Sequence, residues 1–543
     1  MNQKTKIYLP VIIALSLIVG LYAGNRLTKP GKQNLSGLTF PRTNKLDAII
    51  GLISSSYVDS IPATKLVDEA IPALLKHLDP HTAYISAKEM PSITEDMQGN
   101  FGGIGVQFSI YKDTVQVVDV ISGGPSSKLG IQPGDRIVQV NDSIIAGISV
   151  KDSTVMHLLR GKKGTQVKVG IKRKGINDLI QFDITRGDIP IVSVNVSYMI
   201  GKHTGYIKVN RFAETTYNEF MTAVKKLDNE GAQKFIVDLR GNPGGFLPIV
   251  IRMANEFLPK DRLILYTQGH SSPKEIYKAN GKGTLQNKGV YVLIDEYSAS
   301  ASEIFSGAMQ DNDRGVIIGR RSFGKGLVQE QIPFRDGSAL RLTIARYYTP
   351  SGRCIQRSYS DGTDEYYENI MKRAAHGEFE NADSIHFADS LKYKTIGGRT
   401  VYGGGGIMPD YFVPLDTTGY SSYYSKLTQK LLIYHFAFDY TDKNRQQLEK
   451  LKTATDIETY LDQQHIMDQF IRYAATKGVP RDPKGLKKSG KIIQTQVEAY
   501  VARNVIGDDG FYPIIREIDT TLKKALEISH YKHPLKKALA VTK

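Results

Sequence analysis

The clearest structural signal in this chain is the run VYVLIDEYSASASE at residues 290–303. Its first five residues are aliphatic or aromatic, which is typical of a buried strand. Its last six are serines, alanines and a final glutamate, a composition typical of a bend that leads into a helix. Backbone N–H groups at a helix N-terminus stabilise negative charge, so a serine there is well placed for chemistry. The run predicts an α/β fold with a candidate site at this bend.

A second strand-to-helix turn lies earlier in the chain. The apolar strand predicted at 234–239 is followed by a glycine-rich turn at 240–245 and a helix predicted over Leu247–Phe257. The pattern predicts further strands at 205–209, 316–318 and 340–348 and further helices at 217–227 and 301–310. Such alternation indicates an α/β core with a largely parallel sheet. Sites in such folds form at the carboxyl ends of strands, where both turns lie.

Lys325 follows the serine-rich bend and lies between Gly324 and Gly326. Serine is a poor nucleophile unless a partner takes its proton. A lysine can be that partner when burial lowers its pKa and leaves the amine neutral. We therefore predict a dyad of Ser300 and Lys325, with Gln329 orienting the lysine from four residues further on.

Two other chemistries are open at this point. A Ser-His-Asp triad is assembled in space, but no histidine lies within these motifs, and His203 and His270 have no helpful spacing. Residues 319–325 match the G-x-x-x-x-G-K pattern of a P-loop. However, Gly326 stands where Ser or Thr would bind Mg²⁺, and residues 328–334 favour a strand over the required helix. The sequence favours the Ser-Lys dyad over both.

Residues 101–186 differ from the core because their short strands are punctuated by glycines. The informative strings are GGIGV at 102–106, GIQPGDRI at 130–137 and LLRG at 158–161. Together they resemble a PDZ domain, in which a peptide C-terminus adds as a β-strand and loop N–H groups receive its carboxylate. The resemblance implies that Ile104, Gly105 and Val106 line the peptide groove. Arg160, near the end of the predicted PDZ helix, is a candidate for coupling peptide binding to the active site.

The core motifs, taken with this domain, are similar to those of the C-terminal processing peptidases, also called tail-specific proteases. The motifs are DLRGNPGG at 238–245, SASASE at 298–303, QD at 310–311, FGKGLVQ at 323–329 and YGGGGIMPD at 402–410. The similarity covers about residues 45–415. It implies a serine endopeptidase with a crotonase/ClpP-like spiral β/α core and an inserted PDZ domain, without metal or cofactor.

The same resemblance implies roles within the site. Ser300 is the implied nucleophile, Lys325 the general base and Gln329 the partner that orients the lysine. The implied substrates are proteins or peptides that are bound by their C-termini and cleaved through an acyl-enzyme. The resemblance also implies that the oxyanion hole is formed near Gly244, Gly245 and Ala301, without a choice between the two glycines. Asp311 is implied as a supporting polar group.

Composition limits the remaining classes. With 543 residues, 41% of them hydrophobic and 23% charged, the chain is too long for one ordinary core and has the composition of a folded protein. The net charge of +16 is spread along the chain and no nucleic-acid-reading module is apparent, so nucleic acid is not an expected partner. The lone cysteine, Cys354, excludes an internal disulfide and a cysteine-based metal cluster.

The N-terminus predicts export. Lys4 and Lys6 precede an apolar run at residues 7–24, and neither a lipobox cysteine nor a clear small-residue cleavage site follows. We expect an uncleaved signal anchor in the inner membrane of a bacterium. The catalytic domain is then expected in the periplasm or exported.

The predicted organisation has five parts. They are a signal anchor and linker at 1–35, an N-terminal helical region at 36–97, the PDZ domain at 98–186, the peptidase core at 187–420 and a helical extension at 421–543. The extension lies beyond the resemblance, and three roles are open for it: dimerisation, closure over a substrate tunnel, or a solvated helical packing domain. A homo-oligomer is a further expectation. The rival interpretation of the chain is a catalytically silent, membrane-tethered PDZ scaffold, which would need no serine, lysine and glutamine set.

Overall fold

The computed structural model describes residues 45–121 and 123–536, which form two units, up to residue 74 and from residue 75 onward. The first unit contains helix α1 (Lys45–Ser56) and most of α2 (Ala63–Leu75), and neither helix has a buried residue. The anchor and linker predicted at 1–35 lie outside the described residues. Among the described helices, none is both long and apolar enough to cross a membrane.

The second unit begins with a segment that joins the peptidase core. Strand β1 (Ala83–Ile85) pairs antiparallel with β18 (Ala339–Tyr348). Helix α3 (Met90–Gln98) follows β1 in the chain. The region predicted as helical at 36–97 therefore includes a strand of the core. Short sequence patterns miss such a strand because three residues carry little periodicity.

The PDZ segment is a sheet in the order β3-β4-β5-β7-β8, with β6 beside β5. At its two ends, β2 (Asn100–Gly103) and β9 (Gly187–Pro190) pair antiparallel with each other as a separate two-stranded sheet. Because β3 has only one neighbour in the sheet, its other edge is free of strands within the described chain. The elements are β3 (Val106–Tyr111), β4 (Thr114–Val120), α4 (Pro125–Lys128), β5 (Arg136–Val140), β6 (Ser143–Ile144), α5 (Asp152–Leu159), β7 (Gln166–Lys172) and β8 (Ile180–Thr185).

The peptidase core is built on a sheet in the order β10-β11-β12-β15-β16-β21, parallel from β11 to β21. Its elements are β10 (Val196–Gly201), β11 (Thr204–Lys208), α6 (Thr216–Asn229), β12 (Lys234–Asp238), α7 (Leu247–Phe257), β15 (Gly289–Ile294), α8 (Ala301–Asp311), β16 (Val316–Gly319) and β21 (Tyr411–Phe412). The predicted helix at 247–257 coincides with α7, and the strands predicted at 234–239 and 316–318 differ from β12 and β16 by one residue.

A second sheet, in the order β1-β18-β13-β14 with β17 beside β18, contains the strand that follows the Lys325 loop. The remaining elements of this region are β13 (Leu263–Gln268), β14 (Glu275–Lys278), β17 (Leu327–Pro333), α9 (Thr363–Ala375), β19 (Lys392–Lys394) and β20 (Thr400–Tyr402). Strand β17 pairs antiparallel with β18, and the register shifts by one residue between Val328 and Gln329, so that Gln329 lies opposite Thr343.

The C-terminal extension is helical and contacts both other regions. Its helices are α10 (Ser422–Gln429), α11 (Leu432–Leu448), α12 (Ala454–Gln463), α13 (Ile466–Thr476), α14 (Pro483–Ile506), α15 (Asp508–Ile515) and α16 (Thr520–Ser529). Asp439 and Asp442 of α11 bond to Tyr111 and Arg136 of the PDZ segment at 2.9 and 3.1 Å.

Helix α16 packs against the peptidase sheet. Leu522 and Ile528 are buried with Ile236 and Leu293, whereas the alternate strand residues are buried with α6, α7 and α8. A parallel sheet needs cover on both faces, and α16 supplies part of the second cover. The predicted fold class, an α/β peptidase core with an inserted PDZ domain and a helical C-terminal extension, is confirmed.

Candidate active site

Ser300 lies at the N-cap of α8, directly after the bend that follows β15. Its backbone has φ 54° and ψ −113°, a conformation that L-residues rarely adopt and that is common at functional sites. The neighbouring serines are buried and hydrogen-bonded: Ser298 Oγ donates to the Leu239 oxygen at 2.8 Å and Ser302 Oγ to the Asn242 oxygen at 3.0 Å. Ser300 is half-buried and faces a cavity, so it is the one of the three that a substrate can reach.

The cavity has a volume of about 620 Å³, and Ser300, Lys325 and Gln329 all line it. Apolar side chains, including Phe246 and Leu327, form much of the remaining wall. The structure therefore brings together three residues that lie on α8, on the loop after β16 and on β17. A cavity of this size and lining accommodates several peptide residues in an extended conformation.

Lys325 is held by Gln329 and has a lowered pKa. Its Nζ donates to Gln329 Oε1 at 2.9 Å. Burial, and then the positive charge of Arg341, lower the pKa of Lys325 to about 8, although Asp79 and Glu303 act in the opposite direction. Within the described chain no hydrogen bond joins Lys325 Nζ to Ser300 Oγ.

Glu303 joins the nucleophile bend to the lysine loop, a role that the sequence did not assign. One oxygen, Oε1, accepts from Ser322 Oγ at 2.5 Å and from the Gly324 N–H at 2.8 Å. The other, Oε2, accepts from the backbone N–H groups of Lys325 at 2.8 Å and Ser300 at 2.9 Å. Burial raises the pKa of Glu303 to about 7, against these four bonds, which favour the charged form.

The signal for Glu303 is its position three residues after Ser300. The spacing S-x-x-E is ordinarily a capping box that closes one helix end. Here the same carboxylate also reaches across to the loop before β17, which no local pattern reveals.

The three residues implicated in the oxyanion hole lie around Ser300. A side chain at Gly244, with φ +101°, would come within 2.8 Å of Ser300 Cβ, so only glycine allows this approach. The Gly244 N–H is already donated to Asn242 Oδ1 at 2.8 Å. Within the described residues, the N–H groups of Gly245 and Ala301 donate to no protein acceptor. Gly245 is therefore the better placed of the two glycines.

Asp311 is not part of the cavity. It ends α8, about 15 Å from the helix start at 1.5 Å per residue, and pairs with buried Arg353 at 2.8 Å. It also accepts from Ser351 Oγ at 2.7 Å. These contacts give Asp311 a place in the packing of the core rather than beside Ser300.

The peptide groove is a second cavity, of about 580 Å³, between β3 and α5. Ile104, Gly105, Val106 and Arg160 all line it, as the sequence predicts. The open edge of β3 forms one wall, which leaves backbone groups available to an added strand.

Arg160 connects the groove to helix α3. Its guanidinium lies 4.1 Å from the centre of the Phe101 ring and 3.7 Å from Glu95 Oε2. Glu95 belongs to α3, and Met97, on the same helix, lines the catalytic cavity. One helix therefore contacts both the groove and the cavity.

The rival chemistries have no support in the site. No histidine is among the residues that line the described cavity. Residues 319–325 lead from β16 into strand β17, without the helix that a P-loop requires. In the described ranges, no group of three or more His, Cys, Asp or Glu side chains is arranged to hold a metal ion.

A half-buried serine and a half-buried lysine line one cavity on an α/β core that carries an inserted sheet domain, an arrangement that fits a serine-type peptidase. Family models agree: the model for peptidase family S41 matches residues 203–364, the PDZ domain model residues 102–185, and a family of unknown function residues 423–507.

Curated relatives then identify the family. The carboxy-terminal processing protease CtpA of Bacillus subtilis is 34% identical over 66% of this chain and 76% of its own length. The carboxy-terminal-processing protease of Bartonella bacilliformis is 34% identical over 64% of this chain and 78% of its own. The solved structure of a photosystem II D1 C-terminal processing protease aligns at 27% identity over 57% of this chain and 83% of that one, with a TM-score of 0.35. The chain belongs to the carboxy-terminal processing peptidases of peptidase family S41.

Proposed function

We propose that this peptidase cleaves proteins captured by their C-terminal tails, with Ser300 as nucleophile and Lys325 as general base. The observation that carries the proposal is the shared cavity, where a serine at a strained helix N-cap lies with a half-buried lysine whose pKa is lowered to about 8. A lysine with this pKa is partly neutral near pH 8 and can accept a proton.

In the proposed reaction Ser300 Oγ attacks the carbonyl carbon of the scissile bond as neutral Lys325 takes its proton. The N–H groups of Gly245 and Ala301 hold the oxyanion. Lys325 then gives the proton to the leaving amine, the C–N bond breaks, and an acyl-enzyme remains. Water attacks that ester, with Lys325 again as base, and releases the acid and free Ser300.

Gln329 supports this cycle because its Oε1 accepts a hydrogen bond from Lys325 Nζ at 2.9 Å. A neutral amine has two N–H groups and one lone pair, so fixing one N–H limits where the lone pair can point. Attack requires the lone pair to face Ser300 Oγ, which we expect once substrate fills the cavity.

The open edge of β3 supports tail capture. A peptide that adds there as a strand places its terminal carboxylate at the Ile104–Val106 loop. Arg160 and Glu95 then couple occupancy of the groove to α3 and the cavity wall. Arg160→Ala is expected to lower kcat on a tailed substrate with tail affinity retained; an unchanged kcat contradicts the coupling.

For the location we propose the outside of a bacterial cytoplasmic membrane. The support is the pair Lys4 and Lys6 before the apolar run at 7–24. Added proteinase should digest the catalytic domain in spheroplasts without lysis. Protection until lysis contradicts this location.

A serine-reactive probe tests the nucleophile. A fluorophosphonate should label the wild type at Ser300, and Ser300→Ala should remain unlabelled while Ser298→Ala and Ser302→Ala, where they fold, are labelled. Labelling of Ser300→Ala contradicts the assignment because another residue must then be the nucleophile. No labelling of the folded wild type contradicts it too and favours the silent scaffold.

The pH profile tests the base. Because the active form is neutral Lys325, kcat/KM should rise with pH through about 8 and then level off. Activity that falls over this range contradicts a lysine base.

A further inference from the structure

The Gln329 amide can orient Lys325 only if the amide is itself held in one orientation. A side-chain amide has an acceptor end and a donor end. Gln329 Oε1 accepts from Lys325, and Gln329 Nε2 donates to the backbone oxygen of His81 at 2.6 Å. The His81 carbonyl therefore determines that the acceptor end faces the lysine.

That carbonyl belongs to a turn, residues 79–82, that one carboxylate holds. Asp79 Oδ1 accepts from the N–H groups of His81 at 2.9 Å and Thr82 at 3.1 Å. Asp79 Oδ2 accepts from Thr82 Oγ1 at 2.6 Å. The side chain is 9% exposed, so these bonds are largely shielded from water.

The turn is fastened to the strand beside Gln329. Thr343 of β18 is the cross-strand partner of Gln329 on β17. Thr343 Oγ1 donates to Asp79 Oδ1 at 3.0 Å, and the Thr343 N–H donates to Thr82 Oγ1 at 3.1 Å. Gln329 and Thr343 are thus neighbours on the sheet: Thr343 holds the 79–82 turn, and that turn orients the Gln329 amide.

Asp79 also acts on Lys325 through charge. Of the charged groups that act on the lysine, Arg341 on β18 lowers its pKa, while Asp79 and Glu303 raise it. His81 stays neutral near pH 8 because burial, followed by the charge of Lys325, lowers its pKa to about 4. Removing the Asp79 charge therefore favours neutral Lys325 at lower pH.

We propose that Asp79 is a positioning residue for the peptidase reaction: it holds the 79–82 turn, the His81 carbonyl of that turn orients Gln329, and Gln329 orients Lys325, on which the Asp79 charge also acts. This role rests on the proposed function of Lys325.

The test compares two variants of Asp79. Asp79→Asn keeps an acceptor for the two N–H groups and loses the charge, so the rising limb of kcat/KM should move to lower pH by roughly half a unit to one unit. Its plateau should stay within about threefold of the wild type. Asp79→Ala also loses the turn, so its plateau kcat should fall about 10-fold or more.

Two controls separate charge from structure. Glu330→Gln removes a charge from an exposed neighbour of Gln329 and should leave the limb in place, since solvent screens that charge. Thr343→Val keeps the Asp79 charge but removes one donor to it, so kcat should fall about threefold with tail affinity unchanged. If Asp79→Asn does not fold, an unchanged kcat in folded Thr343→Val overturns the proposal.

The outcomes distinguish this proposal from the dyad. If the wild type has no limb near pH 8, or Lys325→Ala keeps full turnover, both the dyad and the role of Asp79 are wrong. If the limb is present and Lys325→Ala is inactive, but Asp79→Asn leaves the limb unmoved, only the role of Asp79 is wrong.

Discussion

The catalytic cavity and the peptide groove use their backbone groups in opposite ways. Around Ser300, one carboxylate takes up four donors and ties two loops together. Along the groove, β3 leaves one edge without a neighbouring strand in the described chain. Fixed dipoles suit a reaction whose transition state must be met without reorganisation, and open ones suit capture of a strand. We therefore expect changes at the cavity to affect kcat and changes at the groove to affect KM, with the exception of Arg160, whose contact with Glu95 of α3 links the groove to the cavity.

Lys325→Ala should separate the two regions most strongly. Loss of the base is expected to reduce kcat by about 10²–10⁴-fold, while a fluorescent tail peptide binds the groove with unchanged affinity. Steady-state kinetics and fluorescence anisotropy measure the two quantities. Lys202→Ala, at an exposed turn between β10 and β11, is the matched control. Weaker tail binding in Lys325→Ala would show that the affinity of the groove depends on the cavity, which contradicts their separation.

Glu303→Gln tests whether the carboxylate network serves catalysis. In this variant an NH₂ group replaces one carboxylate oxygen, and it cannot accept a hydrogen bond. The two donors that face that position would therefore lose their acceptor. We expect kcat to fall about 10²-fold, as for loss of a preorganised contact. A kcat within about threefold of the wild type, in a folded variant, contradicts this role.

Gly105→Ala tests the groove. Gly105 has φ +80°, which strains any other residue, and an added Cβ would lie 3.1 Å from Ile189 Cδ1, so the Ile189 side chain or the loop must give by a few tenths of an ångström. The expected result is a KM about 5–10-fold higher for a tailed substrate, with kcat unchanged. Gly130→Ala is the matched control, because Gly130 has φ +81° in the same domain but open space around it. Equal effects of the two variants would assign the loss to strain alone.

Asp442→Asn should have the smallest effect, because it touches only the attachment of the groove domain. The Asp442–Arg136 pair is partly exposed, with 15% and 34% of the side chains accessible. Such pairs contribute about 0.2–1 kcal/mol, so the free energy of unfolding should fall by no more than that, and less in high salt. Urea denaturation measures it. A loss above about 2 kcal/mol would mean that this junction contributes to stability as strongly as a buried network such as that around the cavity.

Sequence reasoning located what is local and missed what is distant. The helix α7, the serine bend and the Lys325–Gln329 spacing are encoded within a few consecutive residues. The turn at residues 79–82 lies inside the region predicted as helical at 36–97, and its His81 meets Gln329 across 248 residues. No periodicity or motif spans such a separation, because pairing of β1 with β18 creates the contact.

The extension illustrates the same limit. Its helices follow from apolar spacing, but their docking does not, since Tyr111 and Asp439 are 328 residues apart. Asp311 shows the converse. It lies one residue beyond α8's predicted end, and only the packed structure reveals that its partner is Arg353, far from the cavity.

The position of α16 in the chain has a consequence for folding. Strands β10 to β16 are complete by residue 319, yet the helix that covers part of their second face begins at residue 520. Closing so long a loop is slow, and the bare apolar face is prone to aggregation while it waits. We therefore expect a newly made chain to pass through a state in which most of the core sheet is formed and one of its faces is uncovered. Chaperone dependence and refolding yield are thus properties that a truncation or mutation near α16 should change first.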